Sequence, residues 1–260
     1  MKNNTVYYFT SKNFSDTNII YGFFTRNGGK SKKLFDSLNC SFSSKDDKKN
    51  VTKNISVAKQ KLGLEQTKIK FVSQIHGADI EIIDNSNINE KIVADGSITQ
   101  SKNVSLAILT ADCAPIFLVD LRKNVICAVH LGWRGCLNNF ILKTSKKIIK
   151  LSESVKNTVA IIGPCLNQEN FEVDKNFKKK FIKKNSNYEI YFKKNPNNNK
   201  IYFDMRSLID QQLKESSINT IFHVNKDTYA EESLFFSHRR ATHRGNLPTG
   251  RMINIIGFKQ

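Results

Sequence analysis

Two apolar runs, Ile116–Asp120 and Val125–His130, are separated only by Leu121-Arg122-Lys123-Asn124. A connection this short closes an antiparallel hairpin and cannot hold the crossover that two parallel neighbours need. Any sheet built from this unit therefore contains an antiparallel pair. If the four intervening residues form the turn, Asp120 lies opposite Val125 and Pro115 opposite His130. Cys113 precedes Pro115 by two residues and so points to the same face. It becomes a diagonal neighbour of His130, at roughly 7–8 Å between Cα atoms, within reach of a shared ion. A slip of one residue would turn the two side chains to opposite faces. Pro115 suits only the first position of its strand, because it has no N–H for the ladder.

Strand-like and helix-like segments alternate around this hairpin. Thr67–Ser73, Ile80–Ile83 and Val104–Leu109 read as strands, with His76-Gly77 at the corner between the first two. Gly132–Gly135 opens a helix whose apolar stripe is Leu137, Phe140, Ile141, Ile148 and Ile149. Thr158–Ile162 is a strand ended by Gly163-Pro164. Val173, Phe177 and Phe181 lie four apart on a helix with a lysine face, and Asp204 is placed to cap a helix over Met205–Lys214. Ile221–Val224 and Met252–Phe258 close the fold as strands. The low-complexity stretches Ser44–Asn50 and Lys193–Lys200 read as surface loops. The expected architecture is α/β: a single domain over residues 1–260, with a mixed β-sheet flanked by helices.

Several classes are excluded. No apolar run approaches the roughly 18 residues of a membrane helix. Met1–Thr5 lacks the apolar stretch of a secretory leader, so a cytoplasmic chain is expected. Five cysteines, an odd number and widely spaced, do not make a disulfide scaffold. The net charge of +18 raises nucleic acid as a partner. Most of that charge is lysine spread through an Asn- and Ile-rich chain, as in KKNPNNNK (193–200), the composition an AT-rich genome produces without selection for binding. No nucleic-acid or membrane partner is expected. Arginine is scarce, and Arg239, Arg240, Arg244 and Arg251 crowd near the end; this suggests sites where the planar fork matters, the plainer readings being chance clustering and a basic surface loop.

His76, Cys113 and His130 form the candidate metal group. Two imidazoles and a thiolate leave a fourth position open, the pattern of a catalytic zinc site. Taken singly, each has a plainer reading: a small buried cysteine at a strand start and a histidine in a turn. Cys40, Cys127, Cys136 and Cys165 have no metal-ligand spacing and read as packing residues. Asp112 is the candidate general base or orienting carboxylate. Asp95, in Asp-Gly, also fits a plain turn. Arg134 sits at the helix start after Gly132, where free N–H groups and a cationic fork suit an anion. Neither a P-loop nor a dinucleotide-binding glycine pattern is present.

These residues fall in an ordered set of short motifs: GFFTRNGG (22–29), SLN (37–39), QIHG (74–77), ADG (94–96), TADC (110–113), HLGWRG (130–135), GPC (163–165), FFSHRR (235–240) and TGRM (249–252). Together they resemble the YfiH-type laccase-domain family, also described as a polyphenol oxidase or purine nucleoside phosphorylase family, from about Gly22 to Phe258. The resemblance implies a zinc site on His76, Cys113 and His130. It also implies phosphorolysis of adenosine, inosine, guanosine and methylthioadenosine, with adenosine deamination. Where the family often carries cysteines, this chain has Asn170 before Phe171-Glu172-Val173 and Asp227 before Thr228-Tyr229.

The expected partners are thus a purine nucleoside and phosphate, in a monomer or small homo-oligomer. Catalysis is expected at Asp112, Cys113 and Arg134, and substrate contacts at Arg26, Asn39, Asp95 and Arg240. Zn2+ is the expected cofactor, with copper as the alternative. A metal-dependent hydrolase of another small substrate, such as a cell-wall precursor, is a competing reading. A copper phenol oxidase is disfavoured, because five histidines with no His-x-His pair cannot supply several copper sites. An RNA-binding protein would leave the His-Cys-His group without a role.

Overall fold

A computed structural model describes residues 5–259; Met1–Asn4, within the segment read above for a leader, and Gln260 lie outside the described residues. In chain order the strands are β1 (Tyr8–Phe9), β2 (Ile19–Phe24), β3 (Lys68–Phe71), β4 (Ile80–Ile82), β5 (Gly96–Thr99), β6 (Val104–Thr110), β7 (Ala114–Asp120), β8 (Val125–Leu131), β9 (Thr158–Ile162), β10 (Glu172–Val173), β11 (Phe192–Lys194), β12 (Ile201–Phe203), β13 (Thr220–His223) and β14 (Met252–Phe258). The α-helices are α1 (Lys48–Lys61), α2 (Trp133–Leu137), α3 (Phe140–Ser152), α4 (Lys175–Lys184), α5 (Met205–Glu215) and α6 (His238–His243).

The α/β class is as expected, but the strands divide among three sheets where one was expected. A five-stranded sheet runs β1-β2-β14-β6-β3, a six-stranded sheet β13-β9-β7-β8-β5-β4, and a small sheet β10-β12-β11. Both large sheets are mixed: β3 is parallel to β6 and β13 to β9, while β7–β8 and β14–β6 are antiparallel. They pack face to face. Tyr21 and Phe23 of β2 meet Phe117 of β7, the Phe23 and Phe117 rings stacking at 4.6 Å.

Alternation along β7 explains the layering. Phe117 and Val119 face the five-stranded sheet; Ile116 and Leu118 face the opposite way, into the cluster holding Phe140, Ile141 and Ile148 of α3 and Leu208, Ile209 and Leu213 of α5. On the far side of the five-stranded sheet, Val51, Ile55 and Ala58 of α1 cover Ala107, Ile253 and Ile255. The order is therefore helix, sheet, sheet, helices.

Local departures have local causes. The segment read as a loop over Ser44–Asn50 gives way to α1 at Lys48, because the Asp47 carboxylate accepts the Lys49 N–H at 2.8 Å and starts the helix. Lys193–Lys200, also read as a loop, includes the last two residues of β11 and the turn to β12. The helix after Gly132 is two pieces: α2 ends after five residues, and Asn139 at φ 54° turns the chain before α3. Among the described residues no helix is long and apolar enough to cross a membrane.

The hairpin register is as derived from the sequence, with Pro115 opposite His130 and Asp120 opposite Val125. The Asp120 carboxylate accepts the Arg122 and Lys123 N–H groups and closes the turn. Two connections cross from the five-stranded to the six-stranded sheet. One is the three-residue link Ala111-Asp112-Cys113 between β6 and β7, and the other is the loop between β3 and β4 that carries His76.

Candidate metal centre

One donor atom from each of His76, Cys113 and His130 lies within 4.8 Å of the others. His130 is buried near the end of β8, Cys113 is half-buried just before β7, and His76 is exposed on its loop. The two imidazole rings stand edge to face with centroids 4.8 Å apart.

Asp95, immediately before β5, organises this group. It is fully buried and its carboxylate accepts three consecutive backbone N–H groups, Ile75 at 3.2 Å, His76 at 2.9 Å and Gly77 at 2.6 Å. These bonds brace the loop where His76 takes a left-handed φ of 60°. The same carboxylate lies 2.8 Å from Nδ1 of His130. Since an ionised carboxylate only accepts, Nδ1 carries the proton and Nε2 of a neutral His130 keeps its lone pair for a metal. Burial alone would raise the pKa of Asp95, but the His130 ring and the Gly77 and Ile75 N–H groups outweigh it and hold the pKa below the usual range.

Without a metal the remaining charges pair with each other. Burial opposes ionisation of Cys113, yet the His130 and His76 rings bring its pKa down to about 6. Burial likewise opposes a charged His130, but the Cys113 thiolate and Asp95 push it up to about 9. A thiolate is the ligand form of cysteine, so the site is preset for a cation. Gly132 supplies the room: a Cβ there would stand 3.0 Å from Cys113 Sγ and 3.7 Å from a carbon of the His76 ring. The soft sulfur, two imidazoles, an orienting carboxylate and the glycine-kept space fit a tetrahedral ion with one open position.

Asp112 sits at φ 96° beside Cys113. Its carboxylate accepts from Thr228 Oγ1 at 2.7 Å, Ser237 Oγ at 3.1 Å and the Arg239 N–H at 2.6 Å. It thus ties the Cys113 link to the loop before α6. This brings the segment carrying Arg239, Arg240 and Arg251 to the centre. Arg251 is affected by the charges of Cys113 and Asp112, although burial has the larger influence on it. His238 is held below the usual histidine range by burial and then by Arg251. Arg134 is exposed at the start of α2, its guanidinium 4.8 Å from the Trp133 ring.

The other anticipated substrate contacts lie inside hydrogen-bonded braces. Arg26 donates to Asp36 O at 2.7 Å and lies over the Phe236 ring. Asn39 is buried and binds Ser44, Asp46 and the Ser41 and Arg251 N–H groups. Arg240 is buried and donates to the carbonyls of Thr228, Tyr229 and Phe235. Among the described residues, none of the three hydrogen-bonds to the His-Cys-His group. Thr228 and Gly132 were not singled out from sequence for these roles; the short spacing of Gly132 from His130 was the only local sign. Cys40, Cys127, Cys136 and Cys165 are buried free thiols, as expected of packing residues, and burial raises the pKa of each.

A mixed α/β fold whose two large sheets are joined by the loops carrying His76 and Cys113, with His130 beside them on β8, defines the class of protein. Residues 20–259 match the family model described as multi-copper polyphenol oxidoreductase laccase, and the chain belongs to this family, the YfiH-type laccase-domain proteins. A purine nucleoside phosphorylase of Rickettsia conorii is 35% identical over 179 residues, covering 67% of this chain and 72% of that protein. A purine nucleoside phosphorylase of Haemophilus influenzae is 29% identical, covering 90% and 92%. Among solved structures, a Neisseria meningitidis protein superposes with a TM-score of 0.85 at 25% identity, covering 97% of this chain and 99% of that one. The hypothetical protein YfiH of Bacillus licheniformis gives 0.84 at 27% identity, covering 93% of each chain.

Proposed function

We propose that this chain is a metal-dependent purine nucleoside phosphorylase acting on adenosine, inosine, guanosine and methylthioadenosine, with adenosine deamination as a second reaction of the same centre. The observation that carries this reading is the His76–Cys113–His130 group with Asp95 behind it, in a chain whose relatives bear that name. Zinc suits the donors best: two imidazoles and one thiolate with an open side. Five histidines without a His-x-His pair do not suit a set of copper ions. When bound, such an ion supplies Lewis acidity and lowers the pKa of a water molecule.

The chain's own residues have distinct tasks. His76, Cys113 and His130 would hold the ion, and Asp95 fixes the His130 tautomer. Arg134 offers an exposed guanidinium to the phosphate, and the Arg251 guanidinium adds positive charge toward the same centre. Asp112 is the carboxylate that moves a proton at Oδ1 or Oδ2, after release of the Thr228 or Ser237 hydroxyl.

The test is product identification with purified protein and inosine, with and without phosphate. Phosphorolysis gives hypoxanthine and ribose 1-phosphate only when phosphate is present. Free ribose at every phosphate concentration would replace the phosphorylase by a hydrolase, and no turnover of any of the four nucleosides would overturn the substrate class.

A further inference from the structure

Asp112 holds the backbone beside Cys113 at φ 96°, a conformation that a residue with a Cβ keeps only when its surroundings impose it. Two of the hydrogen bonds that impose it come from one strip of chain. The Asp112 carbonyl accepts the Leu166 N–H at 3.0 Å, and its carboxylate accepts the Thr228 hydroxyl at 2.7 Å. Thr228 is fully buried, and its N–H donates to Cys165 O at 3.2 Å. A parallel bridge pairs Cys165 with Asp227. The link that carries Cys113 is therefore placed by the paired segments at Cys165 and Asp227 as well as by its own strands.

The Asp227 side chain fixes that strip. It is only 7% exposed. Oδ1 accepts the Tyr229 N–H at 2.9 Å, and Oδ2 accepts from Asn170 Nδ2 at 2.5 Å. The Asp227 carbonyl accepts the Glu231 N–H at 3.0 Å and closes the turn that follows. Asn170 comes from 57 residues away, in the short turn before β10, so its bond locks two separate segments together. Asn170 and Asp227 are also the two positions where this chain departs from the motifs it otherwise shares with its family.

We propose that Asn170 and Asp227 are positioning residues for the metal centre: their hydrogen bond aims Thr228 Oγ1 at Asp112 and so sets Cys113 Sγ against the two histidines. The path runs from Asn170 through Asp227, Thr228 and Asp112 to Cys113, and every step is a hydrogen bond or a peptide neighbour. The inference rests on the reading of His76, Cys113 and His130 as metal ligands and is independent of the substrate.

Titration of the metal-stripped full chain with Co2+ tests it, because cobalt takes the donors that suit zinc and reports a thiolate ligand by its charge-transfer absorption. Asn170→Asp sets two carboxylates face to face. It should weaken cobalt binding by about tenfold, the lower end for groups behind a ligand, and reduce the thiolate band of the cobalt-saturated protein. Adding Asp227→Asn gives back one donor and one acceptor with their roles exchanged, and both readings should return to within about twofold of the parent. Thr228→Val keeps the side-chain shape without the hydroxyl and should also cost about tenfold, which reads the same path if Asn170→Asp does not fold. A loss of packing alone would leave the saturated band unchanged and the double variant as weak as the single one, and either result would overturn the proposal. So would parent-like affinity and band in Asn170→Asp or in Thr228→Val; in these cases the metal centre itself stands. A parent chain that binds no cobalt through a thiolate would overturn the metal reading and this proposal together.

Discussion

Replacing Asp95 with Asn changes one oxygen to an NH2 group in a pocket built only of donors. Oδ1 serves His76 N–H and the His130 ring, and Oδ2 serves Gly77 and Ile75 N–H. If the amide oxygen takes the His130 side, the new NH2 faces two backbone N–H groups. If the oxygen takes the loop side, the NH2 faces Nδ1–H and the His76 N–H, and His130 must move its proton to Nε2, the nitrogen needed for the metal. In either arrangement two bonds to a charged acceptor are lost in a fully buried place. At about 1.5–3 kcal/mol each, the metal-free protein should lose about 3–6 kcal/mol of stability. Metal affinity should fall by about 10- to 100-fold, as for other carboxylates behind a histidine ligand. Urea unfolding of metal-stripped protein reads the first quantity, and competition with a chelating dye reads the second. An Asp95→Asn variant that matches the parent in both would refute the role given to this carboxylate.

Three further outcomes follow from the same geometry. Gly132→Ala should lower metal occupancy several-fold by elemental analysis while the fold persists, since the added Cβ would stand 3.0 Å from Cys113 Sγ. In metal-stripped protein at neutral pH, iodoacetamide should label Cys113 first, because it is half-buried with a pKa near 6 while the other thiols are buried and raised; mass spectrometry should show that added zinc protects it. Arg240→Ala should destabilise the protein by about 3–5 kcal/mol in urea unfolding, since three carbonyls lose a buried guanidinium and Glu232 loses a charge partner.

Part of this architecture is written plainly in the sequence. The β7–β8 register is legible because the turn is short and both strands are apolar, and the register alone brings Cys113 and His130 together. His76 comes from another sheet-crossing loop, which no ladder arithmetic reaches; its residue type made it a candidate, and the motif order tied it to the other two. The division into two sheets was hidden because strands buried on both faces show the same near-continuous apolar runs whichever sheet they join. Helix α1 was obscured by its lysines and by Asn54, a buried polar residue that binds Ser31 Oγ and the carbonyls of Ser37 and Asn39. Asp95 was expected at the substrate, with a plain Asp-Gly turn as its other reading, and nothing local reveals that its carboxylate reaches back to residues 75–77. Scarce arginines did mark places where a planar fork matters, but for Arg26 and Arg240 that fork faces backbone carbonyls.

Diffraction from crystals of the purified protein, collected on both sides of the zinc absorption edge, tests the metal centre itself. One anomalous peak is expected within bonding distance of a His76 ring nitrogen, Cys113 Sγ and His130 Nε2, with His130 Nδ1 still on Asp95. A peak placed elsewhere, or a zinc-supplemented crystal with no peak among these three side chains, would contradict it.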